Sequence, residues 1–130
     1  MTGRPLPPVA VVVSFIDRIN HADVPGLTEL MTDDHRLLVA AEPPVVGRQA
    51  TAHAWSVHTA TFPGYVIHPR ELAERHGRVA VAGHITGSGE GRRRSVLWLA
   101  EVRDGLVATW QVLDDTPDAR AGLGLRTPPG

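Results

Sequence analysis

The sequence predicts an α+β domain in which N-terminal helices pack against a mostly antiparallel sheet. Two observations lead there. Apolar residues recur at helical spacing through the first half of the chain, and from Tyr65 onward they alternate with polar ones. The alternating half then falls into four runs separated by short turn signals, which makes an antiparallel meander. Helices on such a sheet have one face to cover, and a strongly curved sheet leaves a pocket beneath them.

The elements follow in order. Residues 1–8 hold three prolines and read as a flexible arm. Val9, Val12, Val13, Ile16 and Ile19 then mark one helix face, with Asp17, Arg18 and Asn20 opposite, until His21-Ala22. Asp23 is an N-cap for a short second helix, with Pro25 in its first turn and Leu27, Leu30 and Met31 facing inward. Thr32-Asp33-Asp34 reads as a turn, and His35 to Ala41 as a strand stopped by Pro43-Pro44. A third helix runs from Arg48 to Thr61, with Ala50, Ala54, Val57 and Thr61 on one stripe and Trp55 beside it. Phe62-Pro63-Gly64 ends it, because proline disfavours helix at the residue before it.

Strands are expected at Tyr65–Leu72, Arg78–Thr86, Ser95–Val102 and Leu106–Asp114, with turns at His76-Gly77, Gly87–Gly91 and Asp104-Gly105. Asp-Gly supplies the positive φ that a two-residue hairpin turn needs. The tail from Thr116 reads as a turn and a frayed end. The expected organisation is thus an arm over 1–8, a single domain over 9–125 and a flexible tail over 126–130.

Composition narrows the function classes. At 130 residues the chain is one domain, and 42% hydrophobic residues are enough to build a core. A net charge of -1 gives no electrostatic reason to expect nucleic acid or an anionic membrane as partner. Arg92-Arg93-Arg94 follows a glycine-rich stretch and reads as a solvated hairpin tip. With no cysteine, thiolate chemistry and disulfides are excluded. The apolar run Val9–Val13 is too short for a membrane span and makes a poor signal peptide, so a cytoplasmic protein is expected. None of the seven histidines forms an H-x-H or H-E-x-x-H pattern, and His53 and His58 sit on poorly matched helix faces, so no metal is expected. A phosphate-binding glycine loop and a G-x-S-x-G elbow are both missing, which argues against a nucleotide cofactor and covalent catalysis.

The candidate chemistry gathers on the last strand. Alternation puts Trp110, Val112 and Asp114 on one face and Gln111, Leu113 and Asp115 on the other. An acid sharing a face with Trp and Val is costly to bury unless it is paired or used. In an apolar pocket its pKa would rise toward the range of a general acid/base; paired with an arginine such as Arg36 or Arg48 it would be structural. Asp115 is expected in solvent. His35 could share a proton with Asp114 or belong to the preceding turn, and Glu42 is an outside candidate. Trp55, Tyr65, Trp98 and Trp110 are candidates for the pocket wall, two of the four being expected there and the others in the core. His84 could lie on either sheet face. Small apolar residues beside it on the more polar face of its strand make a dimer across the sheet a further expectation.

Six short patterns occur in order: F-I-D-R-I-N at Phe15–Asn20, L-M-T-D-D-H at Leu30–His35, V-G-R-Q-A at Val46–Ala50, F-P-G-Y at Phe62–Tyr65, V-R-D-G-L-V-A-T-W-Q-V-L-D at Val102–Asp114 and L-G-L at Leu123–Leu125. Together they resemble the SnoaL-like polyketide cyclase branch of the NTF2-like superfamily, over roughly Val9 to Leu125. The resemblance implies a cone-shaped fold and, as general acid/base, the acid four residues after the last-strand tryptophan, here Asp114. Two positions depart from the family: Gly87-Ser88-Gly89-Glu90 replaces a Thr-His-Thr-like element, and Ala41-Glu42-Pro43 replaces an Asp-Pro step.

The expectation is a small cofactor-independent enzyme that cyclises or isomerises a polyketide-like or carbonyl-containing molecule. Asp114 would act with His35, and Tyr65, Trp110, Trp55, Trp98, His84 and Glu42 would bind the substrate. Epoxide hydrolysis or dehydration on the same fold is the near alternative. A non-catalytic dimeric ligand-binding module is the distant one. An open apolar cavity with Asp114 inside favours the enzyme; a filled cone with Asp114 at the surface favours the module.

Overall fold

The computed structural model describes residues 6–89 and 93–126. Helices α1 (Pro8–Asn20) and α2 (Val24–Glu29) lead into strand β1 (Met31–Val39) and the short β2 (Val45–Val46). Helix α3 (Arg48–Thr61) precedes the meander β3 (Val66–Arg75), β4 (Arg78–Thr86), β5 (Arg94–Arg103) and β6 (Leu106–Asp114), and α4 (Pro117–Gly122) closes the chain. The six strands form one sheet in the order β2-β1-β6-β5-β4-β3. All neighbours are antiparallel except β1 and β6, which are parallel. The six described strands, with α1–α3 on the concave side and α4 against the outer face, make the expected α+β architecture.

Local chemistry explains most boundaries. Pro8 opens α1 at a position where its missing N–H costs nothing. The Asp23 carboxylate caps α2 by accepting from Gly26 N at 3.0 Å. His76-Gly77 and Asp104-Gly105 both carry positive φ at two successive residues, the requirement of a type I′ hairpin. Asn20, the last residue of α1, donates to Ile67 O at 2.9 Å and accepts from Ile67 N at 2.8 Å. It thereby satisfies the free side of edge strand β3 and fixes the helix to it.

Four expectations need correction. Strand β1 begins at Met31, so Thr32–Asp34 belong to it; parallel pairing jumps from Met31↔Val107 to Arg36↔Thr109, and a bulge absorbs the extra residues. The pair Val45–Val46 forms a strand because it meets Arg36 and Leu37. Helix α3 buries Thr51 and Trp55 and exposes Val57, since it rests on β1 and β2 rather than across the sheet. The tail forms α4, capped by Thr116, whose hydroxyl accepts from Ala119 N at 3.1 Å. The expected hairpin tip falls partly outside the described residues, as do the far ends of the arm and tail.

The concave sheet face and the helices enclose the main core, which includes Val11, Phe15, Ile19, Val81, Trp98 and Trp110. On the outer face Ala80, Ala82, Leu97 and Leu125 form a second cluster, which Leu123 and Ala119 of the α4 region also join. The tail thus covers part of the face expected to meet solvent or a second subunit. No helix among the described residues is long and apolar enough to cross a membrane.

Candidate functional site at the mouth of the cone

A cavity of about 750 Å³ opens between α3, the β1–β2 connection and the ends of the strands. This lies within the range of small-molecule sites. Its interior is apolar, with Leu37, Val39, Ile85, Val96 and Val112 among the walls. Its polar features are Glu42, His58, Tyr65, Ser88 and Arg94.

Helix α3 supplies one wall. Ala54 and Trp55 lie one turn before His58 on its inner side, and Phe62 follows at its end. His58 packs edge-on against Trp55 at 5.3 Å and against Tyr65 at 4.4 Å between ring centroids. Burial lowers the His58 pKa below its ordinary value, so the ring is neutral at pH 7. Its Nε2 is covered and finds no hydrogen-bond partner among the described residues, and the same holds for Trp55 Nε1. Burial pushes the Tyr65 hydroxyl up to about 12, with the Arg94 charge acting the other way. Tyr65 is therefore a proton donor in hydrogen bonds throughout the physiological range, not a base.

Close backbone approach brings Tyr65 to this place. Gly87 has φ +76 and lies against the carbonyl of Gly64, where any Cβ would collide. The turn before β3 and the end of β4 meet there, and Tyr65 and Ser88 both reach the cavity.

The remaining sequence candidates separate into three groups. Tyr65, Trp55 and Glu42 line the cavity. Trp98, Trp110 and His35 do not: all three are fully buried in the layer below it. Trp98 and Trp110 stack at 6.4 Å, and Phe15 lies 4.9 Å from Trp110, so the bottom of the cone is filled. The His35 Nδ1 bonds Val107 O at 2.7 Å within the β1 bulge, and burial lowers its pKa. His35 thus has a structural bond to β6 and no access to Asp114. His84 is on the outer face with Ala80 and Ala82, stacked on His68 at 4.6 Å, and cannot touch a ligand in the cavity.

Asp114 is on the concave side, as alternation requires, but at the last position of β6. Its side chain is 72% exposed and meets Arg94 Nη2 at 3.4 Å. The expectation of a carboxylate inside an apolar pocket is therefore corrected: β6 carries it past the apolar walls to the rim. Asp115 is corrected in the opposite sense. Arg120 of α4 grips it with Nε at 2.6 Å and Nη2 at 2.9 Å, both side chains being largely covered. This hydrogen-bonded guanidinium holds the Asp115 carboxyl below its usual range.

Two cavity residues were missed in the sequence. The histidine spacing speaks to His58 only as a metal ligand, although Trp55, His58 and Phe62 form an aromatic stripe at helical spacing. Arg94 falls in the expected solvated tip, although it alternates with Val96 and Trp98 and so faces inward. Among the described residues no three potential metal ligands converge.

The sequence between residues 12 and 110 matches the family model of the SnoaL-like domain. A search of curated proteins returned no match. Among solved structures, an NTF2-like protein of unknown function from Cytophaga hutchinsonii superposes with a TM-score of 0.73 at 13% identity, covering 88% of this chain and 95% of its own. A candidate polyketide cyclase from Sinorhizobium meliloti gives a TM-score of 0.73 at 20% identity, with 82% and 94% covered. An epoxide hydrolase of the LEH-like type from M. tuberculosis gives 0.72 at 17% identity, with 89% and 88% covered. At these identities the likeness is one of fold. The match across most of the domain, on a cone of helices and curved sheet, makes this chain a member of the SnoaL-like domain family with the NTF2-like fold.

Proposed function

We propose that the chain is a cofactor-independent enzyme that binds an apolar, carbonyl-containing small molecule in the cavity and moves a proton on it. The observation that carries this reading is a neutral imidazole packed against a tyrosine in an apolar wall. His58 would accept a proton from the carbon next to the substrate carbonyl, and Tyr65 would donate a hydrogen bond to the oxygen as negative charge develops there. Return of the proton to a different carbon completes an isomerisation. Attack of the enolate carbon on a second carbonyl, with the His58 imidazolium giving its proton to the alkoxide that forms, completes a ring closure. The cyclase-like neighbour is compatible with this class of chemistry, whereas the epoxide-hydrolase-like one acts on a different bond and does not bear on it.

The second reading is a ligand-binding module without chemistry, with a homodimer as its expected form. The exposed, arginine-paired Asp114 favours it, because the acid that the resemblance implied as catalyst is not held in a poorly solvating site.

Deuterium uptake next to the carbonyl of 1-tetralone in D2O, followed by proton NMR, separates the two. The enzyme reading expects exchange well above the buffer rate and a loss of about 100-fold in His58→Ala, the lower end of what general acid/base groups contribute. The rate should rise with pH through the lowered His58 pKa and level off above the ordinary 6.5, because the neutral ring is the base. Saturable tetralone binding with exchange at the buffer rate would leave the binding module standing.

A further inference from the structure

We infer that the cavity selects an apolar ligand carrying an ionised oxygen acid, such as an aromatic carboxylate, with its anionic oxygens held at the mouth by Arg94 and Tyr65. Asp114 is then the counter-ion that holds Arg94 while the cavity is empty. The inference rests on the reading of the cavity as a ligand site, but not on catalysis.

The placement of Arg94 carries the argument. It is the first residue of β5, paired with Ile85 of β4, and shares the concave face with Val96 and Trp98. Among the described lining residues it is the one arginine or lysine. Across the sheet, Val96 pairs with Asp114, which brings the carboxylate alongside the guanidinium.

The two arginine–aspartate contacts of this region differ in kind. Arg120 holds Asp115 through a fork of 2.6 and 2.9 Å, with side chains 16% and 15% exposed. Arg94 holds Asp114 through one contact of 3.4 Å, with side chains 57% and 72% exposed. That is longer than a charge-assisted hydrogen bond should be, and exposure screens it further. A loosely held guanidinium at the edge of an apolar cavity is free to exchange one carboxylate for another.

The charges around the mouth are unevenly placed. Arg94 is the charged group whose field reaches the Tyr65 phenol. Glu42 lines the cavity from the β1–β2 connection and is exposed. Arg93 acts on His84 of the outer face. Among the described residues, an anionic oxygen that takes the place of Asp114 there meets a guanidinium and a neutral O–H donor together. A ligand with its apolar body against Val96, Ile85 and Trp55 would place its acid group at that edge.

Isothermal titration of the full chain with 2-naphthoate and its neutral isostere 2-naphthamide tests this. Wild type should prefer the naphthoate by about three- to tenfold, the range open to a partly screened ion pair with added hydrogen bonding. Arg94→Gln should abolish that preference by weakening naphthoate binding, and Arg94→Lys should retain part of it. Asp114→Asn should tighten naphthoate binding by about two- to fivefold, because a competing exposed carboxylate is gone. Both positions are exposed, and a melting curve on each variant confirms that the fold is kept. Equal affinities for the two probes in wild type would overturn the inference and leave the cavity as a ligand site for neutral molecules. Weaker naphthoate binding in Asp114→Asn would also overturn it. No binding of either probe would overturn the ligand-site reading itself.

Discussion

The floor and the mouth of the cone are built by the same strands and are chemically opposite. On β5 the floor residue is Trp98 and the mouth residue is Arg94; on β6 they are Trp110 and Asp114. Four residues along each strand separate a fully buried indole from an exposed ion pair. The helices make the difference. Helix α1 contacts β3, β4, β5 and β6, so its stripe of Val11, Val12, Phe15, Ile16 and Ile19 closes the floor. Helix α3 contacts β1 and β2 and leaves the opposite strand ends uncovered. In this fold a sheet face is not uniformly core: depth along the strand decides whether an inward side chain packs or meets a ligand.

The sharpest way to break the comparison is at the floor. Trp110→Ala removes a side chain with no exposed surface that touches both Phe15 and Trp98. Urea unfolding should show a loss of about 3–5 kcal/mol, the usual cost of truncating a core aromatic. A loss below about 2 kcal/mol would mean that this layer collapses easily, and that floor and mouth are less distinct than their burial indicates.

A smaller effect separates the floor histidine from surface charges by its pH window. Burial lowers the His35 pKa below its ordinary 6.5, so the unfolded chain binds more protons than the folded one as pH drops below that value. The stability tied to the neutral ring is fully present above about pH 6.5 and is lost as pH falls toward the folded pKa. His58 adds a slope of the same sign. Asp115 acts in a separate window, since its lowered pKa makes stability fall only as pH drops below 3.8. His35→Gln should therefore flatten the decline between about pH 7 and pH 5 and leave the more acidic limb unchanged. An unchanged slope across that interval would show that His35 is hydrated in solution.

Much of the fold was legible because its signals are local. The Asp23 cap, the Asp104-Gly105 turn and the alternation after Tyr65 each act over a few residues, and each appears where the sequence puts it. What was missed depends on distant partners. The start of β1 needs its parallel pairing with β6, and β2 exists only as a partner of Arg36 and Leu37. The site was half legible for a related reason. A two-residue period gives the face of Asp114 and Asp115 but neither the depth at which the cone opens nor the arrival of Arg120 from α4. It therefore inverted their environments. His58 and Arg94 were readable from stripe and alternation, since Trp55, His58 and Phe62 share a helix face and Arg94 keeps step with Val96 and Trp98.

The smallest expected effect tests the mouth directly. Asp114→Asn should move the melting temperature at pH 7 by no more than about 3 °C, as for other exposed ion pairs. Asp115→Asn, an identical change one residue later, should lower it by several degrees, because it breaks the covered fork to Arg120. Thermal unfolding by circular dichroism compares the two in one experiment. A marked rise in melting temperature for Asp114→Asn would mean that the native carboxylate is held where charge is poorly solvated. Asp114 would then belong to the cavity interior in solution, the loose pairing with Arg94 would not describe it, and the resemblance-based role of an interior acid would return. Near-equality between Asp114→Asn and wild type, beside a clear loss in Asp115→Asn, keeps Asp114 at the rim and available to yield Arg94 to a ligand.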